Sequence, residues 1–175
     1  RDKNLPNVEV WISEFGWDTN PKSPLCVPAI GSFDLQEVQG IWLVRAYLAF
    51  AAAGVDRAQM FSLRDGDPND ATWFSSSGLI GPKGNFSPKK SWYYVYTMKT
   101  LLTNMKFIGE QKSENSDVLI YKFKNLKTSE GIYVAWAKTS KGNSFNNIPI
   151  NLSPNAKTVV QTNLTDGRID GSGSN

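Results

Sequence analysis

The segment WISEFGW, residues 11–17, places a carboxylate where a predicted strand ends. Residues 8–13 are apolar and β-branched, which is typical of a buried strand. In proteins that alternate strands and helices, side chains at the C-terminal ends of parallel strands converge on one mouth, so Glu14 is expected to face it. A carboxylate beside aromatic rings suits sugar chemistry, because carboxylates attack or stabilise an anomeric carbon and rings pack on pyranose C–H faces. The alternative is that Glu14 pairs with an arginine or caps a loop.

Two tryptophans are candidate sugar-stacking residues. Trp17 and Trp73 lie in the loops that follow the two predicted strands. An indole in such a loop can offer its face to a sugar ring. Packing of these rings within the loops is the alternative for each.

Phe61 and Arg64 lie at the end of the second predicted strand and complete the set of candidate substrate-binding residues. Arg64 is a candidate to donate a hydrogen bond to a sugar hydroxyl or to hold Glu14 as its anion. A salt bridge from Arg64 to Asp65 or Asp67 is the alternative.

Composition removes several kinds of chemistry. The 175 residues include no histidine and one cysteine, Cys26, which excludes imidazole-based triads, most zinc sites and an intramolecular disulfide framework. The formal net charge of +3 is spread along the chain, so no nucleic-acid partner is expected. No apolar run approaches the roughly 20 residues of a membrane-spanning helix, so no such segment is expected. Residues 65–70 resemble the opening of an EF-hand loop but lack its later glycine and glutamate, and no metal or cofactor is assigned.

The elements that must position these residues alternate in type. A helix is predicted over residues 35–53, where Asp34 and Glu37 have the spacing of a capping box. A second strand is predicted over residues 57–63, and a second helix over residues 87–104, beginning with Ser-Pro. This order predicts a parallel sheet with helices on its face.

The pattern changes after Gly109, where short runs of alternating apolar residues predict antiparallel strands. We therefore expect two domains, residues 1–109 and residues 110–175. The predicted strands of the second domain are residues 117–124, 132–138, 148–152 and 158–161. Because a strand is predicted close to Arg1 and a polar turn over residues 166–175, the chain is expected to be a piece of a longer polypeptide.

Several segments together resemble a known family. They are residues 9–16, 38–54, 58–63, the SGLI turn at 77–80 and the KSWY helix start at 90–93. The chain looks like the C-terminal part of a clan A retaining glycoside hydrolase. The fold class that this resemblance implies is α/β plus all-β: strands seven and eight of a (β/α)8 TIM barrel, followed by a small antiparallel β-sandwich.

The resemblance implies a role for each part of the site. In that clan the glutamate ending strand seven is the nucleophile of a double displacement, which implies this role for Glu14. The second carboxylic acid ends strand four, which this chain does not contain. The resemblance therefore implies a C-terminal fragment, inactive alone, that acts on a carbohydrate together with the missing N-terminal barrel portion in a secreted, periplasmic or cell-surface enzyme. The clan frequently has a tryptophan at the end of strand eight, where this chain has Phe61, and a noncatalytic carbohydrate-binding or assembly protein with a degenerate barrel is the alternative.

Overall fold

The computed structural model describes residues 7–138, 141–154, 156–162 and 164. Two helices and five strands form within these residues. In chain order they are β1 (Trp11–Phe15), α1 (Leu35–Ala52), β2 (Arg57–Met60), α2 (Lys90–Leu101), β3 (Met105–Gln111), β4 (Val118–Asn125) and β5 (Gly131–Ala137). The predicted strand, helix, strand, helix order of the first half is confirmed.

The start of α1 follows from its sequence. The Asp34 carboxylate accepts a hydrogen bond from the Glu37 N–H (2.9 Å), and the Glu37 carboxylate accepts one from the Asp34 N–H (2.8 Å). This is the predicted capping box, which satisfies two backbone donors that no helical carbonyl can reach. The helix has apolar residues on most sides because it contacts α2, β2 and β3. No helix in the described ranges is long and apolar enough to cross a membrane.

β1 and β2 pair in parallel, and β3, β4 and β5 form a separate antiparallel sheet. The β1–β2 register shifts between Ile12 and Phe15. The shift leaves two residues of β1, Ser13 and Glu14, opposite the single β2 residue Gln59, which is the arrangement of a β-bulge.

One apolar core joins the helices to the antiparallel sheet. Its buried members come from α1, α2 and β4: Val44, Leu48, Tyr94 and Phe123. Aromatic side chains of the sheet complete it, and the Tyr121 and Trp136 rings meet edge to face at 4.7 Å. The helices therefore cover one face of this sheet.

The predicted fold class, the last two units of a TIM barrel followed by a β-sandwich, is wrong for the part of the chain that the structure describes. A barrel requires a sheet that closes on itself, whereas β1 and β2 pair only with each other among the described strands. A sandwich requires two sheets packed face to face, whereas β3–β5 packs against α1 and α2.

The second half also departs from the prediction strand by strand. β4 and β5 lie where strands were predicted, but residues 148–152 and 158–161 form none. Pro149 has no N–H to give to a ladder, and its segment is attached instead to the side chain of Gln111, the last residue of β3. β3 was not predicted, and the expected boundary after Gly109 falls inside it. The predicted turn of residues 166–175 lies outside the described residues.

Candidate functional site

The Glu14 side chain is exposed within the β1 bulge, near the C-terminal end of the strand. The neighbouring Phe15 ring faces α1, where it meets the rings of Tyr47 and Phe50 edge to face at 5.0 Å each. The Glu14 carboxylate has no hydrogen bond or ion pair with another described residue, so the expected alternative of an arginine pair is not formed there. Bulges redirect side chains and are frequent beside active sites. Among the residues that the structure describes, this carboxylate therefore has no partner that would compete with a ligand.

Phe61 follows β2 and is attached directly to the end of β1. Its backbone N–H donates to the Phe15 carbonyl oxygen (2.8 Å). Its ring is 42% exposed and meets the Phe74 ring edge to face at 5.2 Å. Trp73, the residue before Phe74, is 67% exposed. The structure thus brings two of the predicted aromatic residues, Phe61 and Trp73, into one region that adjoins the strand carrying Glu14.

Trp17 lies in a different environment. It is half-buried, and its ring packs edge-on against Trp42 of α1 at 5.2 Å. It also adjoins the small apolar cluster formed by Val27, Ile30 and Val38. These contacts correspond to the loop-packing alternative for Trp17.

Arg64 is exposed, and its guanidinium donates to the Asp65 carbonyl oxygen (3.2 Å). Among the described residues it forms no ion pair with Glu14, Asp65 or Asp67. The predicted salt bridge to Asp65 fails because a different cation, Lys89, holds that carboxylate.

Sequence reasoning missed a buried ion pair behind the candidate site. The Lys89 ammonium lies 3.1 and 3.2 Å from the two carboxylate oxygens of Asp65, 2.9 Å from the Ser76 carbonyl oxygen and 3.2 Å from the Thr19 hydroxyl. Both charged side chains are less than 10% exposed. Burial lowers the pKa of Lys89, and the negative charges of Asp65 and Asp18 oppose that shift. No sequence signal distinguishes this lysine from the partly exposed Lys90 that follows it.

Asp18 is a second buried carboxylate in the same region, with no exposed surface. It accepts hydrogen bonds from the Ser23 hydroxyl (2.6 Å), the Phe74 N–H (3.0 Å) and the Ser76 N–H (3.0 Å). The Ser76 hydroxyl also donates to it at 3.2 Å. We call Asp18, Asp65, Ser76 and Lys89 the buried polar cluster. It joins the loop after β1, the loop after β2 and the start of α2, which are the segments around the candidate site.

The carboxylates of the acidic loop, residues 65–70, are engaged in local bonds. Asp65 is committed to Lys89, Asp67 accepts from the Asn69 N–H, and Asp70 accepts from the N–H and hydroxyl of Thr72. In the described ranges no three metal-binding side chains come together.

The remaining features lie apart from Glu14. The Cys26 thiol donates to the Val27 carbonyl oxygen (3.2 Å), and burial, followed by the nearby charge of Asp18, raises its pKa. A cavity of about 670 Å³ lies between the residues that precede β2 and the first residues of β3, at the opposite end of the strand pair from Glu14. Neither feature contributes to the candidate site.

Comparison with known protein families, with characterised proteins and with solved structures finds no significant match to this chain.

Proposed function

We propose that this chain supplies the nucleophile of a retaining glycoside hydrolase, and that the nucleophile is Glu14. The observation that carries the proposal is the exposed Glu14 carboxylate, which has no partner among the described residues and lies in a β-bulge of a strand whose last residue, Phe15, accepts a backbone hydrogen bond from Phe61. A carboxylate without a cation or donor partner is free to approach an electrophilic carbon. An aromatic ring nearby provides a surface for the sugar.

The proposed reaction proceeds in two displacements. A Glu14 oxygen attacks the anomeric carbon while the glycosidic C–O bond breaks, and a second carboxylic acid protonates the leaving oxygen. Water then attacks the same carbon, gives its proton to that second residue and releases the Glu14 carboxylate. The product keeps the anomeric configuration of the substrate.

The resemblance assigns the second carboxyl group to polypeptide outside this chain. In retaining enzymes it lies about 5 to 5.5 Å from the nucleophile. Asp18 and Asp65 lie in the neighbouring loops, but both are buried and committed to other groups. This division implies that the chain alone is inactive, and that a β-glycoside is hydrolysed only by the full-length polypeptide. A secreted, periplasmic or cell-surface location belongs to the same proposal and rests on the resemblance alone.

Labelling of the nucleophile tests the proposal. A 2-deoxy-2-fluoroglycoside with a good leaving group slows the second displacement, so a covalent adduct on Glu14 is expected in the full-length polypeptide by peptide mass mapping. Glu14→Gln should remove both the adduct and turnover, because the amide has a similar shape but is a poor nucleophile. Glu9→Gln is the matched control, since Glu9 is exposed on the same segment but is held by Trp11 and Arg57.

Azide provides a second measurement. In Glu14→Gly, azide should enter the space left by the carboxylate, restore cleavage of an activated β-glycoside and give an α-glycosyl azide. A β-glycosyl azide, or an adduct on another residue, would remove Glu14 from the nucleophile role.

A noncatalytic carbohydrate-binding protein is the second candidate. The exposed rings of Trp73 and Phe61 favour it, because they can bind a sugar without any carboxylate chemistry. Sugar binding by the full-length polypeptide, with no adduct and no turnover, would support this candidate over the hydrolase.

A further inference from the structure

Phe74 has an unusual backbone conformation, with φ at +64°. Side chains with a Cβ rarely adopt this left-handed region, and a bulky aromatic residue does so only where its surroundings hold it. Two hydrogen bonds hold Phe74 from either side. Its N–H donates to the Asp18 carboxylate (3.0 Å), and its carbonyl oxygen accepts from the Ser77 hydroxyl (3.0 Å).

Asp18 is well suited to impose this conformation. Burying a carboxylate is unfavourable unless hydrogen-bond donors surround it, and Asp18 has donors on both oxygens. Two of these donors are the backbone N–H groups of Phe74 and Ser76, so the carboxylate fixes the path of the loop as well as its attachment to β1. An apolar residue at this position would make neither bond.

The loop conformation determines where Trp73 projects. The Phe74 ring packs on Phe61, while the adjacent Trp73 remains 67% exposed. A large exposed indole on a loop of fixed conformation is a favourable surface for a planar apolar ligand face. We propose that Asp18 is a positioning residue, whose bond to the Phe74 N–H holds Trp73 in place to stack on a sugar ring. The choice of a pyranose as ligand rests on the proposed function.

Kinetics of the full-length enzyme test this assignment. Trp73→Ala and Asp18→Asn should each raise KM by about 3- to 10-fold, the range expected for one aromatic stacking contact, with kcat changed less than twofold. The double variant should resemble Trp73→Ala alone, because Asp18 acts through that ring. Trp11→Ala is the matched control, since this indole is 52% exposed at the start of β1 and should leave KM unchanged. Equal and independent losses in the double variant would overturn the assignment.

A rescue experiment separates positioning from general stability. Glycine adopts a positive φ without steric cost, whereas alanine does not. If Asp18 acts by holding this conformation, Asp18→Asn combined with Phe74→Gly should have a lower KM than Asp18→Asn combined with Phe74→Ala. Both pairs lack the Phe74 ring, so equal KM values would contradict the positioning role.

Binding measured without turnover distinguishes failure of this assignment from failure of the proposed function. In the Glu14→Gln background, β-1,4-linked gluco-, xylo- and manno-oligosaccharides should quench tryptophan fluorescence, and Trp73→Ala should abolish the response. Such binding, together with no hydrolysis by the polypeptide that keeps Glu14, would retain Trp73 and Asp18 in these roles and remove Glu14 as nucleophile. Hydrolysis that is insensitive to Trp73→Ala and Asp18→Asn would remove Trp73 and Asp18 from these roles and retain Glu14 as nucleophile.

Discussion

Replacing Lys89 with methionine is expected to destabilise the protein strongly. The ammonium lies within 3.2 Å of both Asp65 oxygens, and its removal leaves the buried Asp65 carboxylate with the Gly78 N–H as its remaining donor in the described part of the chain. Breaking a buried pair in this way costs about 3 to 5 kcal/mol in the free energy of unfolding, because an uncompensated charge stays in the interior. Since typical domains are stable by only about 5 to 15 kcal/mol, this loss is a large fraction of the total.

Thermal and urea unfolding measure this loss. For a domain of this size, each kcal/mol lowers Tm by about 2 to 4 °C, so Lys89→Met should lower Tm by roughly 6 to 20 °C. Lys90→Met is the matched control on the next residue. The Lys90 ammonium pairs with Asp34 at 2.7 Å in a half-exposed position, where such bridges contribute about 0 to 1 kcal/mol.

A double variant tests the cause of the loss. Asp65→Asn combined with Lys89→Met removes both charges, while the amide oxygen can still accept from Gly78. The double variant should therefore be more stable than Lys89→Met alone. If Lys89→Met costs no more than Lys90→Met, or if the double variant is the less stable, then an uncompensated Asp65 charge is not the reason.

Three further outcomes follow from single residues. Burial raises the pKa of Asp34, but the hydrogen bonds from Lys90 and the Glu37 N–H outweigh it and lower the pKa, so the contribution of Asp34 to stability is present above about pH 3.8 and falls as pH drops through the lower folded pKa. Asp34→Asn should remove this pH dependence in urea unfolding, and Asp34→Ala should lower the free energy of unfolding by about 0.5 to 2 kcal/mol. Gly78→Ala should lower Tm markedly, because a Cβ there would lie 2.3 Å from backbone atoms of the Arg64–Asp65 peptide. Gly66→Ala is the control, since its Cβ would meet only ordinary contacts, and similar Tm values for the two variants would refute this reasoning. The raised pKa of Cys26 predicts slower thiol alkylation at pH 8 than in the urea-unfolded chain, and equal rates would contradict it.

Local sequence signals predicted the elements that carry the candidate site. Asp34 and Glu37 form the expected capping box, and the bounds of β1 and β2 lie within about three residues of the predicted ones. These signals depend on neighbours within a few positions, which the sequence displays directly. Glu14 is exposed, and the expectation that it faces a mouth shared by the strand ends stays a prediction.

The arrangement of the elements was not predictable in the same way. An order of strands and helices does not specify how many strands pair, and the resemblance supplied a barrel that the described strands do not form. β3 was missed because Gly109 resembles a terminator, whereas in the structure it lies at a register shift, with φ at +142°, inside the strand. The burial of Lys89 depends on three distant segments meeting, and no local pattern encodes that meeting.

Glu14 and the carboxylates of the buried polar cluster differ in their burial and in their hydrogen bonding. The Glu14 carboxylate is exposed and has no partner among the described residues, while Asp18 and Asp65 are buried and hydrogen-bonded. A buried charge that fixes a loop needs hydrogen-bond donors around it, whereas an exposed carboxylate is solvated by water. The loops after β1 and β2 are long and contain little regular structure, so the buried charges supply the order that a hydrogen-bonded ladder would otherwise give. Loss of the buried charges should consequently impair stability. Under the proposed function it should also weaken ligand binding, whereas loss of Glu14 should impair reaction alone.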